Sequence, residues 1–138
     1  SRRRHTRFRN VTGVQTCALP ISPRSYLQGT CFSEFHFSVE CYDVDTDLWK
    51  LVSPLVERRS GAGAASLNGF VYAIGGYDGE TQLNSVERYS PASDIWITVS
   101  PLIHRRIALS AAILCGKLYV VGGYDGQRVF EHSRGIRP

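Results

Sequence analysis

Short runs of apolar or small residues alternate with turn residues along most of the chain. Asn68-Gly69 separates two of these runs, and Asn-Gly between apolar runs is the strongest short hairpin signal. No run has the period of a helix, so the pattern predicts four short antiparallel strands in residues 54–100. The runs are Gly61–Ser66, Phe70–Ile74, Ser85–Tyr89 and Ile95–Val99.

This unit recurs at an offset of 47 residues. Residues 38–84 and 85–131 align without a gap and share about 22 identities, including Gly-Gly-Tyr-Asp-Gly in both copies. A repeat of this length with four strands is typical of one blade of a β-propeller. We therefore predict an all-β fold in which residues 38–127 supply about two antiparallel blades.

The residues that recur at this offset are predicted to be structural. The glycine pairs end the second strand of a blade, where the backbone needs positive φ or close packing. The tryptophans lie near blade ends, where they can bury a large area between adjacent sheets. The set is Tyr42, Trp49, Gly75, Gly76, Tyr89, Trp96, Gly122 and Gly123.

The N-terminal 21 residues have no such pattern. They resemble the translation of a sequencing-library adapter, whose codons read Val11 to Ile21 in order, while those of the matching primer read Ser1 to Arg7. We therefore interpret residues 1–21 as adapter-derived and expect them to be unstructured.

This interpretation changes the charge and the cysteine count. The chain carries +4 overall, but without the five arginines of residues 1–21 it has 11 basic and 12 acidic residues. A basic patch for nucleic acid or an anionic membrane is then not expected. Three cysteines without a CxxC pair (Cys31, Cys41 and Cys115) suit a reducing compartment, so we expect a cytoplasmic protein.

A Gly-Gly doublet followed by Tyr and then Trp, as in Gly76, Tyr89 and Trp96, resembles the kelch repeat. The segments "SVECYDVDTDLW" and "SVERYSPASDIW" are similar to those of the BTB–Kelch adaptors. The run "RRSGAGAASLNGFVYAIGGYDGETQLNSVERY" most resembles the Kelch-like ECH-associated subgroup. Such propellers close with about six blades, which implies that this chain is a fragment. The resemblance covers residues 38–127, and residues 22–37 and 128–138 diverge from it.

The resemblance also implies a binding site. Arg59 and Arg106 fall on positions where such adaptors hold the carboxylates of acidic peptides, and Tyr77 and Tyr124 fall on positions that line the same mouth. The alternative is that the arginines pair with acids of a neighbouring blade and the tyrosines are turn residues. We give Arg58 and Arg105 this second interpretation.

Three functions are compatible with such a propeller. The first is the substrate-recognition module of a cullin-RING ubiquitin ligase adaptor, which would reach cullin only through a BTB domain outside this sequence. The second is an actin-binding cytoskeletal protein. An enzyme is the third and is not expected, because His36, His104 and His132 do not cluster and no metal or cofactor motif is present.

Overall fold

The computed structural model describes residues 17–22, 25–29 and 37–130, and these form only strands and turns. No helix in this part of the chain is long and apolar enough to cross a membrane. The ten strands are β1 (Cys17–Ser22), β2 (Ser25–Gly29), β3 (Val39–Asp43), β4 (Leu48–Val52), β5 (Gly63–Leu67), β6 (Phe70–Ile74), β7 (Val86–Ser90), β8 (Ile95–Val99), β9 (Ser110–Leu114) and β10 (Lys117–Val121).

The strands form three antiparallel sheets, each with its strands in chain order. β1 to β4 form the first sheet, β5 to β8 the second, and β9 and β10 the third. The third and fourth strands pair in the same register in the first two sheets. Tyr42 lies opposite Trp49 in the first sheet, and Tyr89 lies opposite Trp96 in the second. The ring centroids of the two pairs are 5.1 and 5.0 Å apart. The predicted all-β fold with four antiparallel strands per blade is confirmed.

The first sheet differs from the prediction. Residues 17–21 belong to the segment that we expected to be unstructured, yet they lie in β1, which pairs with β2. Without this pairing β2 would present a row of free N–H and C=O groups, and such an edge can pair with an extended segment of almost any sequence. Residues 1–16 lie outside the described residues, and the origin of residues 1–21 stays a prediction.

The main apolar core lies between the first and second sheets. Val39 and Cys41 of β3 pack against Val71 and Ala73 of β6, together with the buried Tyr89 and Trp96. The indole N–H of Trp96 also donates to the carbonyl of Ser53, 2.9 Å away, which ties β8 to the segment after β4. Trp96 is 8% exposed whereas Trp49 is 45% exposed, because only Trp96 lies between two described sheets.

A second apolar cluster joins the second and third sheets. Ile74 and Val86 pack here against Leu109, with Leu118 and Val120 of β10 at the border. The backbones approach closely at this junction: a Cβ atom on Gly75, whose φ is +60°, would lie 2.6 Å from the carbonyl oxygen of Arg106. Gly76, Gly122 and Gly123 also have positive φ. The glycine doublets therefore turn the chain at the end of the second strand of each blade.

Candidate functional site

The connection that leads into the innermost strand of each blade carries two adjacent arginines. The three sheets are the first, second and third blades in chain order. In the second blade, formed by β5 to β8, the two arginines are Arg58 and Arg59, and one is exposed while the other is buried. Arg58 is exposed, with its guanidinium 5.8 Å from the centroid of the Phe37 ring. The side chain of Arg59 has no exposed surface, so it points into the blade.

Arg59 is held by acceptors from several parts of the blade. Its Nε donates to Glu87 Oε1 at 2.9 Å, and one terminal nitrogen donates to the carbonyls of Gly75 at 2.8 Å and Ser85 at 3.0 Å. The other terminal nitrogen donates to Glu57 Oε2 at 3.0 Å and to the Ser85 hydroxyl at 2.9 Å. These contacts fix the guanidinium on both sides of its fork.

Glu87, on β7, is equally well satisfied although it is completely buried. Besides Arg59, its carboxylate accepts the backbone N–H groups of Val56 at 2.6 Å and Glu57 at 3.0 Å. A buried carboxylate requires such compensation, since removal of a charge from water costs several kcal/mol. The pair therefore links the connection before β5 to the third strand of the same blade.

These contacts correct the sequence-based prediction for Arg59. Its side chain is buried within the blade and is not available at the mouth of the propeller. The contacts agree with the alternative, an ion pair with an acid, but Glu87 belongs to the same blade and not to a neighbouring one. No local pattern in the sequence indicated this pair, because the two residues are 28 positions apart.

Arg106 occupies the corresponding place in the third sheet. Its terminal nitrogen donates to the Gly122 carbonyl at 2.6 Å, as Arg59 does to Gly75. Within residues 37–130, however, no carboxylate pairs with Arg106, and His104 stands at the position of Glu57. The guanidinium lies instead 3.9 Å from the centroid of the Phe130 ring. Arg106 is half-buried and has the same backbone anchor without the acid.

Tyr77 and Tyr124 lie at matching points directly after the glycine doublets. Tyr77 exchanges backbone hydrogen bonds with Ser60, and Tyr124 does so with Ile107, so each tyrosine is held beside the arginine pair of its own blade. Their hydroxyls donate to the carbonyls of Gly79 and Gly126, at 3.0 and 2.6 Å respectively. Tyr124 is 40% exposed, and Tyr77 is less so.

Arg105 lies in the connection between the second and third blades, between β8 and β9. It is exposed, whereas we had expected it to be paired within the fold. The pKa of Asp78 is lowered mainly by the backbone N–H groups of Thr81 and Glu80, with a further contribution from the charge of Arg105. Arg105 therefore lies near the loop that begins with Tyr77, and it is the more exposed arginine of its pair.

In the part of the chain that the structure describes, this surface has neither a metal site nor a reactive centre. Among the described residues no three His, Cys, Asp or Glu side chains are grouped so that they could hold a metal ion. Burial raises the pKa of the Cys41 thiol, which packs in the apolar core and lacks the features of a nucleophile. Cys31, His36 and His132 lie outside the described residues. The side chains exposed at this surface include the charged Arg105 and the aromatic Tyr124.

Two segments, residues 58–103 and 105–133, match the Kelch motif, and together they make up more than half of the 138-residue chain. The chain belongs to the kelch-repeat family. Its second blade and the start of its third are thus kelch repeats. The matched residues include the glycine doublets, the Tyr89–Trp96 pair and the buried Arg59–Glu87 ion pair.

The chain is similar to several curated Kelch-like proteins. It is 49% identical over 47 residues to Kelch-like protein 1 of Mus musculus and 39% identical over 73 residues to Kelch-like protein 28 of Mus musculus. These alignments cover 34% and 53% of the chain but only 6% and 11% of the relatives. Kelch-like protein 3 of Homo sapiens is 48% identical over 42 residues, which are 30% of the chain and 7% of that protein.

A solved structure described as "Structure of YjhT" shares the fold. It superimposes with a TM-score of 0.69 at 20% identity, over 83% of this chain and 36% of the other. The chain is thus a fragment of a kelch propeller and spans about a tenth or less of the curated relatives above. Motif, relatives and fold together support a protein-interaction propeller module.

Proposed function

We propose that the junction between the second and third blades binds an acidic segment of a partner protein. The exposed Arg105 supplies the charge, with Arg106 directly behind it, and Tyr77 and Tyr124 supply aromatic contact area. Arginine and tyrosine are enriched in protein interfaces because they combine a large contact area with hydrogen bonding. The observation that carries the proposal is the position of Arg105: it is exposed, and it lies near the loop of the preceding blade.

In the parent protein this face would recognise the substrates of a cullin-RING ubiquitin ligase adaptor. The similarity to Kelch-like proteins supports this assignment, since the chain has the repeat in which such adaptors hold acidic peptides. Cullin itself would be bound by a BTB domain outside these residues, so the role proposed for this segment is recognition only.

The experiment is a binding measurement on the full chain with acidic peptides. We would titrate a labelled Glu-Gly repeat peptide and compare Arg105→Glu with the unchanged protein at several salt concentrations. Reversal of one surface charge is expected to weaken binding by about tenfold at low salt, with a smaller effect as salt screens the interaction.

The matched control is Lys117→Glu, which makes the same charge change at the opposite end of the β9–β10 hairpin. It should leave the affinity close to that of the unchanged protein, and circular dichroism should show that both variants are folded. The proposal would be overturned if Arg105→Glu bound the peptide as tightly as the unchanged protein, or if both variants weakened binding equally.

A further inference from the structure

The turn between β5 and β6 is an exposed tip of the second blade. Asn68 and Gly69 form it, and Leu67 lies opposite Phe70 at its base, so the loop has two residues. Both loop residues have positive φ, +51° for Asn68 and +79° for Gly69, which is typical of a type I′ turn. The turn lies at the end of the β5–β6 hairpin away from Tyr77, so it is separate from the surface proposed to bind an acidic segment.

The two turn residues are open to water. Asn68 and Gly69 are both exposed, and a Cβ atom on Gly69 would have no atom within 4 Å apart from its chain neighbours. In such a turn the hydrogen bond joins the residues on either side of the loop, so the Gly69 N–H takes no part in it. Among the described residues, neither the Asn68 amide nor the Gly69 N–H has a hydrogen-bond partner. No contact therefore keeps the Gly69 nitrogen away from the Asn68 side-chain carbonyl.

We propose that Asn68 is a modification site, which loses its side-chain amide spontaneously through a cyclic imide. The Gly69 nitrogen gives its proton to hydroxide and attacks Asn68 Cγ. The new C–N bond closes a five-membered ring, the bond between Cγ and the side-chain nitrogen breaks, and this nitrogen takes a proton from water and leaves as ammonia.

Water then opens the imide at one of its two carbonyl carbons. Opening at Cγ gives aspartate in a normal chain. Opening at the backbone carbonyl gives isoaspartate, in which the main chain runs through Cγ. The net reaction consumes one water and releases one ammonia, and neither product requires an oxidant, a reductant or an enzyme.

Glycine after the asparagine is the feature that favours this reaction. Gly69 has no Cβ to shield its nitrogen or to restrict the backbone rotation that ring closure needs. Asn84 provides the contrast within the same chain. It is followed by Ser85, and its side-chain amide donates to the Leu102 carbonyl at 3.2 Å. The chain thus contains a matched asparagine that should remain intact.

Isoaspartate would disturb the hairpin more than aspartate. It adds a carbon atom to the backbone of a two-residue loop, so the pairing of Leu67 with Phe70 can no longer keep its geometry. Ala65 and Val71, which are buried, lie further along the same two strands. We therefore expect the isoaspartate form to unfold at a lower denaturant concentration than Asn68→Asp, which carries the same charge on a normal backbone.

The experiment follows the full chain during incubation at pH 8 and 37 °C. Trypsin then releases residues 60–88 as one peptide that contains both Asn68 and Asn84. Fragmentation in the mass spectrometer locates each change and distinguishes isoaspartate from aspartate. We expect Asn68 to be converted with a rate that rises with pH, and Asn84 to react at least about tenfold more slowly, because serine lacks the open backbone of glycine.

The third blade offers a matched gain of the site. Cys115 and Gly116 form the corresponding turn with φ values of +49° and +69°, and Cys115 has no side-chain amide. Cys115→Asn should therefore create a second site that reacts at a rate close to that of Asn68. The proposal is overturned if Asn68 stays intact while the isolated peptide 60–88 reacts, if Asn84 reacts as fast as Asn68, or if Cys115→Asn is inert at the new asparagine.

Discussion

At the scale of single residues, Arg59 and Arg106 occupy the same repeat position but have different side-chain partners. Both guanidiniums are anchored on the carbonyl of the first glycine of a doublet. Among the described residues, only Arg59 has a buried carboxylate as its partner, and the ion pair with Glu87 makes it part of the fold. The acid on the third strand, and not the arginine itself, therefore decides whether this position is structural.

The buried pair leads to a prediction for stability. Arg59→Ala leaves the Glu87 carboxylate buried with only its backbone donors, and breaking such a pair costs about 3–5 kcal/mol in the free energy of unfolding. Arg58→Ala, at the adjacent exposed position, should change this quantity by about 0.5 kcal/mol or less. Urea denaturation followed by circular dichroism measures both. Equal losses in the two variants would contradict the assignment of Arg59 to the fold.

Asp94 gives a prediction for the pH dependence of stability. Its pKa is lowered first by the Ser53 backbone N–H, 2.9 Å from its carboxylate, and then by the Tyr89 hydroxyl. Because the pKa is lower in the folded state, the ionised form stabilises the fold above the unfolded value of about 4, and this contribution is lost as pH falls through the folded value.

The Asp94→Asn variant removes this titration. We expect it to be less stable than the unchanged protein at pH 6, with the difference becoming smaller as the pH falls below about 4. Thermal unfolding at a series of pH values would measure it. A difference that stayed constant across this range would show that the Asp94 charge does not contribute.

At the scale of strands and turns, local patterns in the sequence predicted the positions of the strands correctly. The segments Phe70–Ile74 and Ile95–Val99 were predicted with the bounds that the structure gives. The burial of Arg59 could not be read in this way, because its partner is 28 residues away and the two meet only when β7 has joined the sheet. Nor did the alternation of residues predict β1, whose pairing depends on the open edge of β2.

The glycine doublets allow a matched test of blade packing. Gly75 and Gly122 have similar positive φ values, so alanine at either position incurs about 1–2 kcal/mol of backbone strain. At Gly75 the new Cβ would also lie 2.6 Å from the Arg106 carbonyl oxygen and 2.8 Å from a Leu109 methyl carbon, whereas at Gly122 its nearest neighbour is 3.8 Å away.

We therefore expect Gly75→Ala to lower the free energy of unfolding by about 1–3 kcal/mol more than Gly122→Ala does, because overpacking adds to the strain. Chemical denaturation of the two variants provides the comparison. If Gly122→Ala proved as harmful as Gly75→Ala, the close approach of the second and third blades would not be a significant constraint.

At the scale of the whole molecule, the second blade is the only described one with a sheet against each face. The first blade contributes Val39 and Cys41 to one face, and Leu109 before β9 packs on the other. The outer sheets keep apolar residues at the surface, among them Leu51 at 72% and Val121 at 56% exposure. In a propeller such residues are covered by further blades, in keeping with a chain that spans about a third of the matched propeller structure.

The central proposal is that Arg105 serves recognition at the surface, whereas Arg59 serves the blade. The most direct measurement is the ¹H–¹⁵N NMR spectrum of the arginine Nε–H groups of the full chain, titrated with the Glu-Gly repeat peptide. The resonance of Arg105 should shift and saturate, while that of Arg59 stays in place because Glu87 already holds it. A shift of Arg59, or none at Arg105, would contradict the account.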